Sequence, residues 1–195
     1  MTFVPTLSDF FKETTEKGYK IFKDETKLYN LNIIGWRNKA SRPNYFDDYI
    51  AIYYKWSNNW YYKYWKATTL PGIPWLKNPL NDKGTAILVP GQYFHAYSLG
   101  AYKGYPALKQ VLPVKVYRDN NRDSQFNKDS VTIEEGIFGI HIHKASLWTK
   151  YVNRFSAGCQ VFQYKKDFDT FITYLRQSAL LWGNSFTYTL LEYDV

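Results

Sequence analysis

Cysteine occurs once among the 195 residues, at position 159, methionine occurs once, and histidine occurs three times. A single thiol excludes disulfides within the chain, so cysteine pairing carries no information about redox compartment. No apolar run approaches the ~18 residues of a membrane-spanning helix, which excludes a helical span. Met1-Thr2-Phe3-Val4-Pro5 has no basic segment followed by an apolar core, so the expectation is synthesis in the cytoplasm without a signal peptide. Arginines form no dense run and the lysines are scattered among aromatics, which argues against nucleic acid as the partner.

Positive charge and aromatic rings are what the chain has in excess. Lysine and arginine number 25 against 17 acids, a formal net charge of +8, which favours anionic partners in general. With 19 Tyr, 13 Phe and 7 Trp, strands carrying many half-buried rings are favoured over a helical bundle. The length fits one domain with a substantial core. The fold class expected is mainly β with some α (α+β).

Apolar spacing places a helix from Ser8 to Phe22, broken near Gly18, and a strand from Leu28 to Trp36. Asp48 to Trp56 and Trp60 to Lys66 read as an aromatic β-hairpin turned at Ser57-Asn58-Asn59. Its Trp56, Trp60, Tyr62, Tyr64 and Trp65 either pack internally, the ordinary fate of large aromatics, or present a stacking platform for glycan beside Lys55, Lys63 and Lys66. Thr69 to Lys83, rich in proline, glycine and asparagine, reads as a structured connection. Further strands are expected at Thr85 to Val89, Tyr93 to Leu99 and Leu112 to Tyr117. Asp119-Asn120-Asn121-Arg122-Asp123 alternates oxygen donors as a calcium loop does. It lacks the glycine at the sixth position, Ser124, and the glutamate at the twelfth, Ser130, so a polar turn is expected.

The chemistry concentrates near the C-terminus. His141 and His143, one residue apart on a strand, share a face, and Ser156-Ala157-Gly158-Cys159 follows. A lone thiol with an imidazole in reach is the minimum equipment for cysteine nucleophilic catalysis. Gly158 allows close backbone approach, so the amides of Gly158 and Cys159 are candidate oxyanion donors.

Gly139-Ile140-His141-Ile142-His143 followed by Ser156-Ala157-Gly158-Cys159 resembles the L,D-transpeptidase catalytic motif, in which a Gly-Ile-His strand precedes Ser-x-Gly-Cys by about sixteen residues. His143 lies sixteen positions before Cys159 and fits that spacing; His141 is the alternative base. The chain departs from the pattern at Ala157, where the family usually has histidine, and at Gln160-Val161, where it usually has an aliphatic residue and then arginine. Lys144, Lys150 and Arg154 are the basic candidates for the missing arginine. The resemblance spans roughly residues 84–195 and implies a β-sandwich or mixed-sheet core. A helix over Phe168 to Leu180, a stop at Gly183-Asn184 and a strand over Ser185 to Glu192 supply the C-terminal helix and closing strand the family has. Residues 1–83 would be an N-terminal helix and aromatic hairpin packed on that core.

The resemblance implies a cofactor-free cysteine enzyme on peptidoglycan stem peptides, drawn by charge to anionic wall polymer. Cys159 would be nucleophile, His143 or His141 base, Gly158 part of the oxyanion hole, and Ser156, Gln160 and Arg154 substrate contacts. A wall enzyme without an export signal would act after lysis or be carried by a virion. Two other readings stand beside it: a zinc-dependent hydrolase using His95, His141 and His143, and a non-catalytic cationic module that binds cell wall or nucleic acid.

Overall fold

The computed structural model describes residues 3–194. Helix α1 (Leu7–Glu16) precedes three strands, β1 (Asn32–Asn38), β2 (Asp48–Trp56) and β3 (Asn59–Thr68). The short helix α2 (Ile73–Lys77) leads to β4 (Thr85–Leu88), β5 (Gly91–Tyr102), β6 (Tyr105–Gln110), β7 (Val114–Asp119) and β8 (Glu134–Gly136). The chain finishes with β9 (Ile142–Lys144), β10 (Gln160–Phe162), α3 (Lys165–Trp182) and β11 (Phe186–Tyr193). Eight strands close into a barrel in the order β1-β11-β5-β6-β9-β10-β3-β2, while β4, β7 and β8 form a separate three-stranded sheet. The mainly β, α+β class expected from composition is therefore the class observed. The C-terminal helix and closing strand are present, and a closed barrel stands where a sandwich or mixed sheet was expected.

Closure removes the division at residue 83. The first three strands are staves of the same barrel as β5, β6 and β9 to β11, because β1 pairs with β11 in parallel and β3 pairs with β10. An edge strand needs a partner for its backbone groups, and here the N-terminal third supplies it.

Local chemistry sets the element ends. Thr6, not Ser8, caps α1: its Oγ1 accepts from the Asp9 amide at 3.2 Å and its own amide donates to Asp9 Oδ2 at 3.0 Å. The helix ends before Gly18, which takes φ +66°. In the β2–β3 hairpin, Ser57 and Asn58 both adopt positive φ, 49° and 62°, the two-residue turn whose twist matches the strands.

Alternation along the strands gives the barrel wall two buried faces. Ile33, Ile50, Ile52, Trp65 and Leu190 pack together with Phe168, Phe171, Ile172 and Leu175 of α3. On the opposite face Ile34, Trp36, Tyr49, Tyr53 and Leu191 pack with Phe10 of α1. The hairpin aromatics divide accordingly. Trp65 is buried at 8% exposure and Trp60 packs edge-on against Phe11, whereas Trp56, Tyr62 and Tyr64 are exposed.

Arg37 is fully buried at the junction of barrel and small sheet. Its Nε donates to Thr69 Oγ1 at 2.9 Å, Nη2 to the Thr69 carbonyl at 2.9 Å and Nη1 to the Leu88 carbonyl at 2.8 Å. Asp48, also buried, accepts from the amides of Asn38 and Thr69 and from the hydroxyls of Ser41 and Thr69.

The division of the hairpin predicts unequal costs. Trp65→Ala should lose about 3–5 kcal/mol of unfolding free energy, and Tyr62→Ala less than about 1 kcal/mol. Urea denaturation of the two variants measures both; equal losses would contradict the burial described.

Candidate functional site

Parallel pairing of β9 with β10 brings the histidine strand beside the cysteine turn. Ile142 is in register with Gln160 and His143 with Val161, and the Gln160 amide donates to the His141 carbonyl at 2.9 Å. Ile142 points into the core, so His141 and His143 lie on the opposite face of their strand.

The turn carrying the thiol is built from inside. Ser156 is buried; its Oγ donates to the Cys159 carbonyl at 2.7 Å and accepts from the Gly158 amide at 3.2 Å. Gly158 sits at φ +122°, and a Cβ there would lie 2.5 Å from the Ala86 carbonyl oxygen of β4. Backbone on one side and a left-handed dihedral on the other leave room only for glycine. Gln160 locks the turn from below, its Nε2 donating to the Gly158 carbonyl at 3.1 Å and its Oε1 accepting from the Tyr188 hydroxyl at 3.1 Å.

Ser156 and Gln160, expected as substrate contacts, therefore face the protein interior with their polar atoms committed to the turn. The Gly158 amide is likewise occupied by Ser156 Oγ, so it is not free to hold an oxyanion in this arrangement. Arg154, by contrast, lines the cleft.

Cys159 lies at the junction of two cavities. One, of about 760 Å³, includes Trp75, Tyr105, His143, Lys144 and Arg154; the other, of about 460 Å³, includes Ala86, Arg118, Phe138 and His141. Tyr102, Ala157 and Cys159 border both. The Tyr102 ring stands 4.9 Å from the His141 ring and 5.3 Å from the His143 ring, centroid to centroid.

Burial keeps both the Cys159 thiol and the His143 imidazole neutral. It pushes the Cys159 thiol up to about 11, against weaker opposition from the His141 backbone and the charge of Lys103. It pulls the His143 imidazole down to about 4, which the Lys144 carbonyl only partly offsets. The resting pair at neutral pH is thiol and imidazole, not thiolate and imidazolium.

The hydrogen bonds of the two imidazoles distinguish them. His143 Nδ1 lies 2.8 Å from the Lys144 carbonyl, which can only accept, so Nδ1 carries the proton and Nε2 keeps its lone pair. His141 Nδ1 accepts from the Gln110 amide at 3.1 Å, so in the neutral ring Nε2 carries the proton. Only His143 offers an uncommitted basic nitrogen.

Three cations line the larger cavity and each rests on an aromatic face: Lys144 over Tyr105 at 4.4 Å, Lys103 over Tyr102 at 5.2 Å and Arg154 over Trp75 at 5.8 Å. The lining contains no acid, so positive charge faces the cleft uncompensated.

His95 is elsewhere. It takes φ +52°, its Nδ1 is 3.0 Å from Ser185 Oγ, and it borders a different cavity beside Trp182 and Ser185. The three-histidine zinc arrangement is not assembled, and among the described residues no group of three His, Cys, Asp or Glu side chains is placed to hold a metal.

Sequence reasoning missed Trp75, Tyr102, Lys103 and Gln110. Lys103-Gly104, both at positive φ, form a two-residue turn whose signal was legible between Tyr102 and Tyr105. Pro106 in the following strand masked the hairpin. Trp75 lies in the proline-rich segment that read as a structured connection, with no site residue marked in it. Nothing local marks Gln110, whose Oε1 accepts from the amides of Phe138 and Ile140 and so shapes the approach to His141.

The lowered His143 has a stability consequence. Below about pH 6.5 the unfolded imidazole binds a proton that the folded one refuses until about pH 4, so stability should rise with pH across that window. Denaturant unfolding at a series of pH values should show a flatter dependence for His143→Gln than for the wild-type chain; an unchanged slope would contradict the burial of this ring.

Comparison with protein-family models, with curated proteins and with solved structures gave no match.

Proposed function

We propose that this chain is a cysteine-dependent acyl-transfer enzyme acting on peptidoglycan stem peptides, as an L,D-transpeptidase or as an L,D-carboxypeptidase or endopeptidase. The observation that carries the reading is one cleft lined both by the single thiol, whose Sγ donates to the Gly139 carbonyl at 3.3 Å, and by His143, whose Nδ1 is held by the Lys144 carbonyl so that Nε2 keeps its lone pair.

The chemistry runs as follows. Cys159 Sγ attacks a stem-peptide carbonyl carbon while its proton passes to His143 Nε2, since a thiol with a pKa near 11 is not ionised beforehand. The Lys144 carbonyl, accepting from Nδ1, orients the ring and stabilises the imidazolium as it forms. Collapse of the tetrahedral adduct breaks the C–N bond, His143 returns the proton to the leaving amine, and a thioester remains on Cys159. An incoming amine then gives a new cross-link, and water gives hydrolysis. Two cavities meeting at the sulfur suit a donor on one side and an acceptor on the other. Lys103, Lys144 and Arg154 suit a carboxylate of the stem peptide, in place of the family arginine that this sequence lacks. The net charge of +8 suits anionic wall polymer, and a lytic or virion-carried role at the wall accords with the reading.

Digestion of purified peptidoglycan followed by mass spectrometry tests this. New free stem ends or new cross-links are expected, abolished in Cys159→Ala and reduced at least ~100-fold in His143→Gln. His141→Gln should lose far less, and a zinc chelator should change nothing. Activity should fall on the acid side as pH approaches 4, where protonated His143 can no longer accept the thiol proton. Unchanged peptidoglycan would sink the enzymatic reading, and salt-sensitive sacculus binding without turnover would favour a binding module.

A further inference from the structure

The β7–β8 connection holds groups that the catalytic reading leaves unused. Asp119, at the end of β7, is 1% exposed. Its Oδ2 accepts from the Asn127 amide at 2.9 Å, while its Oδ1 is shut off from solvent and has no hydrogen-bond partner. An unpartnered buried carboxylate oxygen is costly and calls for a compensating charge or a proton.

The surroundings supply oxygen rather than positive charge. Asp119, Asn121, Asp123, Gln125 and Asn127 bear oxygen-containing side chains at alternate positions. Asp123 is close enough that its charge adds to burial in raising the Asp119 carboxyl, with the Asn127 and Asn121 backbone and the Asn127 side chain opposing. The segment doubles back through Arg122, at φ +58°, and through the Asp123 amide bonded to Asn121 Oδ1 at 3.2 Å. No histidine or cysteine falls in the segment, so a soft metal has no ligands there.

We propose that residues 119–127 bind a hard divalent cation, Ca²⁺, with Asp119 Oδ1 as the anchoring ligand and Asp123 and the amide oxygens of the loop completing its shell. Two carboxylates and Ser130 at the twelfth position, where a bidentate glutamate would add charge, place the affinity in the weak range of about 10⁻⁴ to 10⁻³ M.

The position gives the cation a structural task. Asp119 is in register with Thr85 of β4, Asn120 Nδ2 donates to the Asp82 carbonyl at 3.1 Å, and a Cβ on Gly84 would lie 2.3 Å from the Asp119 carbonyl oxygen. Asn81 and Gly84 border the smaller cavity beside Cys159, so ordering the loop stiffens one rim of the cleft without entering the chemistry.

Thermal unfolding of the full chain in EGTA and in increasing CaCl₂ up to ~10 mM, at constant ionic strength, tests the proposal. A saturable rise of about 3–6 °C is expected, with half-saturation between ~0.1 and 1 mM and little response to MgCl₂. Asp119→Asn should abolish the response. Asp123→Asn, at an exposed position that folding tolerates, should shift half-saturation at least ~10-fold upward. No calcium-dependent rise, or the same rise in the two variants, would overturn the site and leave Asp119 buried as the neutral acid.

Discussion

A guanidinium buried without water must have its donors occupied by protein, and Arg37 solves this by joining three separate stretches of chain. Its bonds to Thr69 reach the end of β3, and its bond to Leu88 reaches β4 in the small sheet. Asp48 binds the same Thr69 from β2 and takes the amide of Asn38 at the end of β1. The two charges meet through Thr69 rather than directly, and Arg37 Nη1 also lies 3.8 Å from Glu192 Oε1, so the guanidinium faces two carboxylates from different strands. The geometry this network fixes is the distance between barrel and sheet. β4 stands against Gly158 through the Ala86 carbonyl, so the turn that carries Cys159 rests on β4. The thiol is thus connected to this network through β4 and Gly158, without touching it.

The same dryness that makes this network costly governs the electrostatics of the cleft. Desolvation raises the thiol and lowers the imidazole, so a resting thiolate–imidazolium pair is disfavoured. The carbonyl of Lys144 decides which nitrogen of His143 is basic, and the amide of Gln110 makes the opposite decision for His141. Cations backed by aromatic rings keep their charge directed at the cavity, because a ring face stabilises an ammonium without neutralising it.

Much of the fold was legible in the sequence. Asp48 to Trp56 was bounded correctly because its alternating aromatics end at a Ser-Asn-Asn turn, and α3 was located by its apolar helical spacing before Gly183, though it begins at Lys165 and ends at Trp182, outside the Phe168 to Leu180 span expected. The errors have physical causes. Thr6 outcompeted Ser8 as a cap because Asp9 completes its reciprocal bond, and β6 was overlooked because proline near a strand start is tolerated when its amide is not needed. At the candidate site, Cys159 and the histidine pair stood out because the chain has one thiol and three imidazoles, whereas Arg154 was one of three basic candidates, of which the cleft takes Lys144 and Arg154. Ser156 and Gln160 were named from proximity in sequence, which cannot say whether a side chain turns toward cleft or core.

The sequence by itself determined the strand-rich class, the single thiol, the pair of histidines on one strand face and the need for glycine before the cysteine, since each follows from residue type and short-range spacing. Tertiary structure alone decided that residues 32–68 complete the barrel that holds the site, that His143 rather than His141 keeps a free nitrogen, and that His95 stands apart. Those outcomes depend on backbone groups brought together from distant parts of the chain by strand pairing, and a backbone carbonyl or amide carries no signature in the sequence.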